Sequence, residues 1–306
     1  MSSQRSQTIA VGSRGSDLAL WQTRWVISRL QQARPDIEFR IQRITTRGDV
    51  VRDRPLPQVG GKGLFVKEIE AALLAGEIDL AVHSLKDMLT ELPEGLAIGA
   101  VTAREDPRDV LVSRLGLKLA QLPPGARVGT GSLRRAAQLR ASRPGLRIVD
   151  LRGNVDTRLR KAATEEYDAV VLAAAGLIRL GYSDRITEYL SPQVMLPAAG
   201  QGALCVEVRA GDEATRTLVS VVHDSPTEVA ITAERAFLAR IGGGCQVPIA
   251  AYAIVNDGEL WLRGLVASSD GSRLLRSELH GSWTEPAALA QALAEEMLAQ
   301  GADRIL

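Results

Sequence analysis

The stretch VGTGSLRRAAQLR, residues 128–140, contains the pattern that decides the fold. A short apolar strand leads into a Gly-Ser turn, and a helix follows that begins with two consecutive arginines. The stretch VDLRGNVDTRLRKAA, residues 149–163, repeats this layout with a Gly-Asn turn. Strands that alternate with helices form layered α/β domains with largely parallel sheets, so we expect both turns at the carboxyl edge of one sheet.

The same alternation extends over the first two thirds of the chain. Strands are predicted at 8–12, 37–45, 78–85, 109–113, 126–130, 146–151 and 168–176. Helices are predicted at 17–33, 64–76, 132–142, 154–163 and 184–190. The segment 46–63 is polar and rich in glycine and proline, which predicts a long loop.

The last third has a different order of elements. Ser225, Pro226 and Glu228 form the capping-box pattern of a helix start, with proline at the first helical position. Strand-like segments follow at 249–256, 259–267 and 272–281, before a final helix from about 285 to 302. The sequence NDGE, residues 256–259, predicts a hairpin turn between the first two strands. Helices set apart from an antiparallel sheet are typical of a small α+β domain.

Composition excludes several classes of protein. Of the 306 residues 45% are apolar, which is ample for globular cores and argues against disorder. The net charge of +1 is unlike that of a general nucleic-acid or membrane-surface protein. The two cysteines and three histidines lack the spacing of a zinc site, so no metal is expected. The absence of a signal-peptide pattern and of an 18-residue apolar run predicts a cytoplasmic protein.

Positive charge is carried mostly by arginine, since only five of the 37 basic residues are lysine. A guanidinium is a planar, always charged fork that suits carboxylate or phosphate. A high-GC genome would give the same excess without functional meaning. Two local clusters are more informative, because Arg134 and Arg135, and likewise Arg152 and Arg158, lie beside the two strand–helix turns. They predict a site for a polyanion, the alternative being solvated surface arginines.

Charged residues also follow two other predicted strands. The stretch AVHSLKDM, residues 81–88, places Lys86 and Asp87 just past a strand end. An aspartate there can act as a general acid or base or stabilise a cation, and the alternative is a solvated Lys-Asp loop. Arg14 and Ser16 follow the first strand in the same way.

The two cysteines have different neighbours. Cys205 lies in the strand-like run GALCVEV and is interpreted as a core residue. Cys245 follows three glycines in IGGGCQVPI, residues 241–249. A buried structural cysteine usually has apolar neighbours and a disulfide needs a partner, so Cys245 fits neither description.

Motifs spread over most of the chain resemble those of the porphobilinogen deaminases, also called hydroxymethylbilane synthases. The matching stretches lie in order between residues 13 and 250: RGSDLALWQ, TRGD, VGGKGLFVKEIE, AVHSLKD, REDPRD, GTGSLRR, LRGNVDTRL, LAAAGLIRLG, LPAAGQGAL, TAERAFL and GGGCQVPIA. The resemblance implies an enzyme that joins four porphobilinogen molecules head to tail with loss of ammonia and releases hydroxymethylbilane. Its substrate carries acetate and propionate side chains, and the chemistry passes through an azafulvene cation.

The resemblance also implies a covalent dipyrromethane cofactor, attached through a thioether to Cys245. Glycines before this cysteine would allow close backbone approach to a bulky attached group, and the alternative is a plain loop thiol. The catalytic aspartate of the family corresponds to Asp87. Contacts to the cofactor are implied for Cys245, Lys86, Asp87, Thr130, Ser132, Arg134, Arg135, Arg152 and Gly153. Contacts to the substrate are implied for Arg14, Ser16, Lys62, Phe65, Arg152, Arg158, Arg179 and Gln201.

The chain departs from the family pattern at a few loop positions. Met88 and Leu89 follow the aspartate where the family often has a proline. Gln58 stands where some members have lysine, and Gly131 where serine is common. None of these departures removes a residue that the resemblance implies for the reaction.

The implied fold has two α/β domains, like the lobes of a periplasmic binding protein, that flank a cleft, and a small C-terminal α+β domain. We predict domain 1 at 1–102 and 201–221, domain 2 at 103–200, and domain 3 at 222–306 with the cofactor cysteine. The crossings near 103–107 and 196–200 are hinge candidates, consistent with Pro107 and Pro197. A monomer is expected, without nucleic-acid or membrane partners.

Two alternatives remain for the loop and for the function. The segment 46–63 is predicted to close as a lid over bound substrate, or it is an ordinary solvated loop. A non-catalytic carboxylate-binding protein would explain the arginines but not Cys245 or Asp87. A nucleic-acid binder is disfavoured by the near-zero net charge and the four scattered tryptophans.

Overall fold

The computed structural model describes residues 7–50, 63–242 and 247–306, which form two compact units. The first unit comprises the described residues within Met1–Arg52, Gly61–Arg104 and Ala203–Thr227. The second comprises those within Glu105–Gly202 and Glu228–Leu306.

Strands and helices alternate over most of the described chain. The strands are β1 Gln7–Ser13, β2 Ile37–Arg43, β3 Leu80–Ser84, β4 Leu96–Val101, β5 Asp109–Ser113, β6 Arg127–Gly129, β7 Arg147–Val149, β8 Ala169–Ala173, β9 Glu188–Tyr189, β10 Leu204–Arg209, β11 Ile249–Asn256, β12 Glu259–Ala267 and β13 Leu274–Ser282. The helices are α1 Asp17–Ala33, α2 Arg47–Val50, α3 Lys67–Leu74, α4 Leu133–Ser142, α5 Val155–Ala162, α6 Ala174–Arg179, α7 Glu213–Val219, α8 Ser225–Ile241 and α9 Pro286–Ala299.

The first unit is built on a five-stranded sheet in the order β2-β1-β3-β10-β4. β1 is parallel to β2 and to β3, whereas β10 runs antiparallel between β3 and β4. Apolar side chains fill the core of this sheet because β3 and β10 are buried along nearly their whole length. Fully buried Leu80, Val206 and Val208 contribute to that core.

The second unit contains a five-stranded sheet with the same arrangement, β7-β6-β8-β5-β9. β6 is parallel to β7 and β8, and β5 runs antiparallel between β8 and β9. The turns after β6 and β7 therefore lie at the same sheet edge, as the opening motif predicted. Their backbones are joined there, since the N–H of Thr130 donates to the carbonyl of Val149 at 3.0 Å.

The second unit also contains the antiparallel sheet β11-β12-β13. Asp257 and Gly258 both have positive φ angles, 49° and 81°, which is the geometry of the hairpin turn predicted from NDGE. α8 and α9 cover this sheet with an apolar core that includes Phe237, Leu262 and Met297. The predicted fold class, mixed α/β with a small C-terminal α+β part, is confirmed.

Three sequence-based predictions about elements need correction. The helix predicted at 184–190 is wrong: a 3₁₀ turn, Ser183–Arg185, precedes the short strand β9, which pairs with β5. Ser225 does not cap α8, because Asp224 accepts the N–H of Thr227 at 2.9 Å and the helix begins at Ser225. β4 was not predicted, although it closes one side of the first sheet.

Residues 51–62 of the predicted lid lie outside the described residues, and Arg47–Val50 at its start is a short helix. The lid and the three-domain boundaries remain predictions. Within the described ranges no helix is long and apolar enough to span a membrane.

Candidate active site

Two of the predicted residues follow β3 directly. Lys86 and Asp87 lie in a 3₁₀ turn, Leu85–Asp87, at the carboxyl end of this strand. The backbone of the turn is tied at both ends, since the N–H of Leu85 donates to Ala203 O and the N–H of Met88 donates to Leu85 O, each at 3.1 Å. Because β1 is the parallel neighbour of β3, the residues after β1 belong to the same sheet edge.

Arg14, which follows β1, is held by two different partners. Its guanidinium pairs with Asp49 at 2.5 Å and lies 4.2 Å from the centre of the Phe65 ring. Burial raises the pKa of the Asp49 carboxyl, but the hydrogen bond and charge of Arg14 outweigh burial and hold that pKa below its usual value. Asp49 was not among the predicted site residues, yet it fixes the direction of one of them.

Ser16 has a structural function in the described structure. Its hydroxyl accepts the N–H of Ala19 at 3.3 Å and so caps the N-terminus of α1. Ser16 lies at this sheet edge, and its contact with substrate stays a prediction.

The N-terminus of α4 contains Thr130 and Ser132, both predicted as cofactor contacts. Ser132 caps the helix by accepting the N–H of Arg135, and the N–H of Ser132 donates to the Thr130 hydroxyl at 3.2 Å. Gly131 between them has no room for a side chain, because a Cβ there would lie 2.8 Å from the carbonyl oxygen of Leu151. The two turns of the opening motif are therefore in close contact.

The paired arginines of α4 converge on one buried carboxylate, that of Asp109 at the start of β5. Arg134 donates to it at 2.7 Å, and Arg135 donates through Nε at 3.0 Å and through a terminal nitrogen at 2.8 Å. Gln201 donates to the same carboxylate at 2.9 Å and to the carbonyl of Pro107 at 2.7 Å. The side chain of Asp109 is 0% exposed and those of the two arginines are 6% and 7% exposed.

This buried cluster has more positive than negative charge. Burial raises the pKa of the Asp109 carboxyl, but the two guanidiniums outweigh that effect and hold the pKa well below its usual range. Burial and the charge of Arg135 lower the pKa of Arg134, against the opposing effect of Asp109. Among the contacts described for this cluster, two guanidiniums face one carboxylate, so positive charge exceeds negative charge by one.

Arg152 and Arg158 follow β7 and are more accessible. The Nε of Arg152 donates to Asp150 at 3.1 Å, and the Arg152 side chain is 20% exposed. The Nε of Arg158 donates to the carbonyl of Gly153 at 2.8 Å. Gly153 has a φ of 115°, a conformation that favours glycine. Guanidinium groups at a strand–helix turn are suited to carboxylates of a ligand.

Arg179, at the end of α6, is buried. A terminal nitrogen donates to the carbonyl of Gly202 at 2.6 Å. Burial lowers the pKa of Arg179 to about 10, although Glu105 nearby acts in the opposite direction. The guanidinium therefore stays charged at neutral pH in a poorly solvated place.

Two predicted residues, Lys62 and Cys245, lie outside the described residues. Cys205 is fully buried in β10, which confirms its interpretation as a core residue. Over the described ranges no group of three histidine, cysteine or acidic side chains is arranged to hold a metal ion.

Two family models match the chain. One, described as the dipyromethane cofactor binding domain of porphobilinogen deaminase, matches residues 9–217. The other, the C-terminal domain of porphobilinogen deaminase, matches residues 229–299. The chain belongs to the porphobilinogen deaminase family. This membership supports a transferase of tetrapyrrole biosynthesis that polymerises porphobilinogen to hydroxymethylbilane.

Similar curated proteins share this family name. The porphobilinogen deaminase of Roseiflexus sp. (strain RS-1) is 55% identical over 300 residues, covering 98% of this chain and 99% of that protein. Those of Syntrophotalea carbinolica and Moorella thermoacetica are each 54% identical, covering 98% and 97% of this chain and 96% and 95% of theirs.

Solved structures give a weaker likeness. The benzoate-bound effector binding domain of BenM has a TM-score of 0.44 at 15% identity, covering 71% of this chain and 90% of that chain. A probable amino-acid transporter binding protein of Bacillus subtilis, ytmK, has a TM-score of 0.42 at 11% identity with the same coverage.

The second unit has a donor set that fits the cofactor of porphobilinogen deaminases. A dipyrromethane with acetate and propionate side chains is a polyanion, and among its described contacts the cluster at Asp109 has one more positive than negative charge. Arg152 and Arg158 supply guanidiniums near the capped N-termini of α4 and α5.

The structure brings together some of the residues that the family motifs predict for the site. Arg134, Arg135 and Gln201 meet at Asp109, and Arg14 meets Phe65. Asp87 belongs to the first unit and the arginine cluster to the second. Asp109 was not among the predicted site residues. Its only signal in the sequence is a charged residue at the start of the apolar run DVLVS.

Proposed function

We propose that this chain joins four porphobilinogen molecules head to tail, with Asp87 as the catalytic carboxylate and Cys245 as the anchor of a dipyrromethane cofactor. The observation that carries the proposal is the match to this family over nearly the whole chain. Asp87 and Cys245 stand in the family motifs AVHSLKD and GGGCQVPIA.

Asp87 stabilises positive charge on the substrate. When ammonia leaves porphobilinogen, the remaining pyrrole is a cation, and a fixed carboxylate near the ring nitrogen lowers the energy of that state. The backbone hydrogen bonds at Leu85 and Met88 hold the turn, so the carboxylate needs little reorganisation as charge develops. Lys86 beside it offers a cation for an acetate or propionate group.

The arginines bind the acidic side chains of the growing product. Each added pyrrole brings two carboxylates, so the number of anions rises with each step. Arg152 and Arg158 donate hydrogen bonds to carboxylates at the turn after β7, and the excess charge of the Arg134–Arg135 pair attracts others. Arg14 and Arg179 extend this set of contacts to substrate.

The dipyrromethane, when bound through Cys245, supplies the pyrrole terminus to which the first substrate is joined. The chain's own residues orient its carboxylates: Thr130 and Ser132 at the N-terminus of α4, and the guanidiniums beside them. We expect the protein to be a cytoplasmic monomer with a small-molecule substrate. Light scattering on the purified protein would test the monomeric state.

The first test concerns attachment of the cofactor. The intact mass of the purified protein should exceed the sequence mass by two linked pyrrole units, and Ehrlich's reagent should colour the protein. Cys245→Ala should abolish both signals, while Cys205→Ala should retain them because Cys205 is a core residue. An active wild-type protein with an unmodified mass would contradict the proposal.

The second test concerns Asp87. Asp87→Asn retains shape and hydrogen-bonding capacity but loses the charge, so tetrapyrrole output should fall by about 100-fold or more while the fold and the cofactor mass stay unchanged. Asp36→Asn, at an exposed position of the same unit, is the matched control. Near-normal turnover of Asp87→Asn would return Asp87 to the status of a solvated loop residue.

A further inference from the structure

Glu234 of α8 is a fully buried carboxylate, 0% exposed, that joins two separate segments. One oxygen accepts the N–H of Gly200 at 2.7 Å, and the other accepts the N–H of Ala253 in β11 at 2.8 Å. A carboxylate has two acceptor oxygens and no donor, so it suits two converging N–H groups better than an amide would. Desolvating this charge is costly, so the carboxylate needs both N–H donors to be held in place.

The segment Gly200–Gly202, here called the junction, is tied to a buried charged group at each of its three residues. The N–H of Gly200 donates to Glu234, the side chain of Gln201 donates to Asp109, and the carbonyl of Gly202 accepts Arg179. Gly200 and Gly202 both have positive φ angles, 74° and 95°. The path of the junction is thus specific, and it sets the direction in which Gln201 points.

The residue before the junction is also part of the contact with α8. Ala199 is buried in the same apolar cluster as Ala230 and Ala233 of that helix. Packing and hydrogen bonding therefore fix the junction to α8 together. β11, which holds the other oxygen of Glu234, begins at Ile249, four positions after Cys245.

The C-terminal part of the second unit also contacts α4, which carries the arginine pair. Gly271, in the loop between β12 and β13, lies so close to this helix that a Cβ there would come within 2.8 Å of Ala137 O. Arg140 of α4 donates to the carbonyl of Ser269 at 2.6 Å. These contacts hold the body of α4. Its first-turn arginines are bound separately, by Asp109 and by the carbonyls of Leu196 and Val171.

We propose that Glu234 is a positioning residue for the reaction: it fixes the junction, and through the junction it holds Arg134, Arg135 and Arg179 in their binding geometry. The bonds described for Glu234 go to backbone N–H groups. It acts through Gly200 and Gln201 on Asp109, and through Gly202 on Arg179. The proposal deepens the proposed function and rests on the binding role of the three arginines.

The substitution Glu234→Gln tests this linkage. Glutamine has the same shape, but its amide nitrogen would face one of the two N–H donors, so either Gly200 or Ala253 loses its acceptor. The matched control is Glu278→Gln on β13, where the carboxylate binds Arg263 Nε at 2.8 Å and has no bond to the junction. Both variants replace a carboxylate in the same part of the chain.

The arginine Nε–H signals in NMR spectra of the labelled holoprotein report on each site separately. In the wild type, Arg135 Nε donates to Asp109, and its hydrogen should exchange slowly with solvent. Glu234→Gln should accelerate exchange at Arg135 and leave Arg263 unchanged, and Glu278→Gln should do the reverse. Turnover of cofactor-loaded Glu234→Gln should fall about 2- to 30-fold, the effect of residues that act without ligand contact. Glu278→Gln should turn over like the wild type.

A merely structural function of Glu234 predicts a different result. The variant would melt at a lower temperature, with Arg135 exchange and turnover per loaded molecule equal to those of Glu278→Gln, and that result would overturn the proposal. If Glu234→Gln does not fold, Gln201→Met cuts the same path at its middle and should reproduce the changes at Arg135. Unchanged Arg135 exchange in Gln201→Met would equally overturn it. A wild-type protein that forms no tetrapyrrole would instead refute the proposed function.

Discussion

Replacing Asp109 by asparagine should destabilise the second unit strongly. Asp109 accepts hydrogen bonds from Arg134, Arg135 and Gln201 at distances between 2.7 and 3.0 Å. The substituted side chain would keep one acceptor oxygen and present an amide nitrogen to donors that need an acceptor. Two buried guanidiniums would then lack any anion among the contacts described for this cluster.

The magnitude follows from opposing contributions. Four hydrogen bonds to a charged group would sum to roughly 6–12 kcal/mol at 1.5–3 kcal/mol each. Burying the carboxylate costs several kcal/mol, so the net value of such a group is smaller. Removing one partner of a buried ion pair costs about 3–5 kcal/mol, and we expect Asp109→Asn to fall in this range.

Urea denaturation, monitored by circular dichroism, measures the change in the free energy of unfolding. The slope of this free energy against urea concentration is compared between variants. Asp36→Asn is the control, because Asp36 pairs with Arg34 at the surface and its loss should change the midpoint very little. If Asp109→Asn lowers the free energy of unfolding by less than about 1 kcal/mol, at an unchanged slope, the cluster stabilises the protein far less than we expect.

Two further substitutions test single contacts. Burial raises the pKa of the Glu70 carboxyl, and the carboxylate of Glu207 raises it further. The folded protein is therefore most stable when Glu70 is protonated. This contribution to stability is complete below the usual pKa of 4.5 and is lost as the pH rises through the raised pKa. Glu70→Gln should therefore raise the melting temperature at pH 7 and lose this advantage below pH 4.5, whereas an equal effect at both pH values would contradict the sign. Gly131→Ala places a Cβ 2.8 Å from Leu151 O and should cost about 1–3 kcal/mol in urea denaturation, while Gly15→Ala, which meets nothing within 4 Å, should not; equal stability of the two variants would contradict the close contact.

The strands and helices that sequence predicted well are those with a strong local pattern. β5 and β11 were predicted with the observed bounds because apolar runs of this length bounded by turn residues are typical of buried strands. The helix predicted at 184–190 was wrong because its residues Glu188 and Tyr189 pair with β5, more than 70 positions earlier in the chain. A pairing over that distance leaves no local signal.

Contacts between distant parts of the chain also limited the prediction of the site residues. Family motifs identified the arginines of α4, but not that both are bound to one carboxylate. Asp109 and Glu234 are acidic residues in or beside apolar runs, and burial alone distinguishes them from solvated charges. Their partners lie 19 to 92 positions away, so only the folded chain brings donor and acceptor together.

The position of β10 has a consequence for synthesis on the ribosome. β10 lies between β3 and β4, and it is made only after the whole span Glu105–Gly202 of the other unit. Until residue 209 has emerged, the nascent N-terminal half holds two strands with unpaired edges, which are prone to pair with other chains. The unit translated first is therefore completed late, and a ribosome that stalls near residue 200 leaves a fragment that needs chaperone protection.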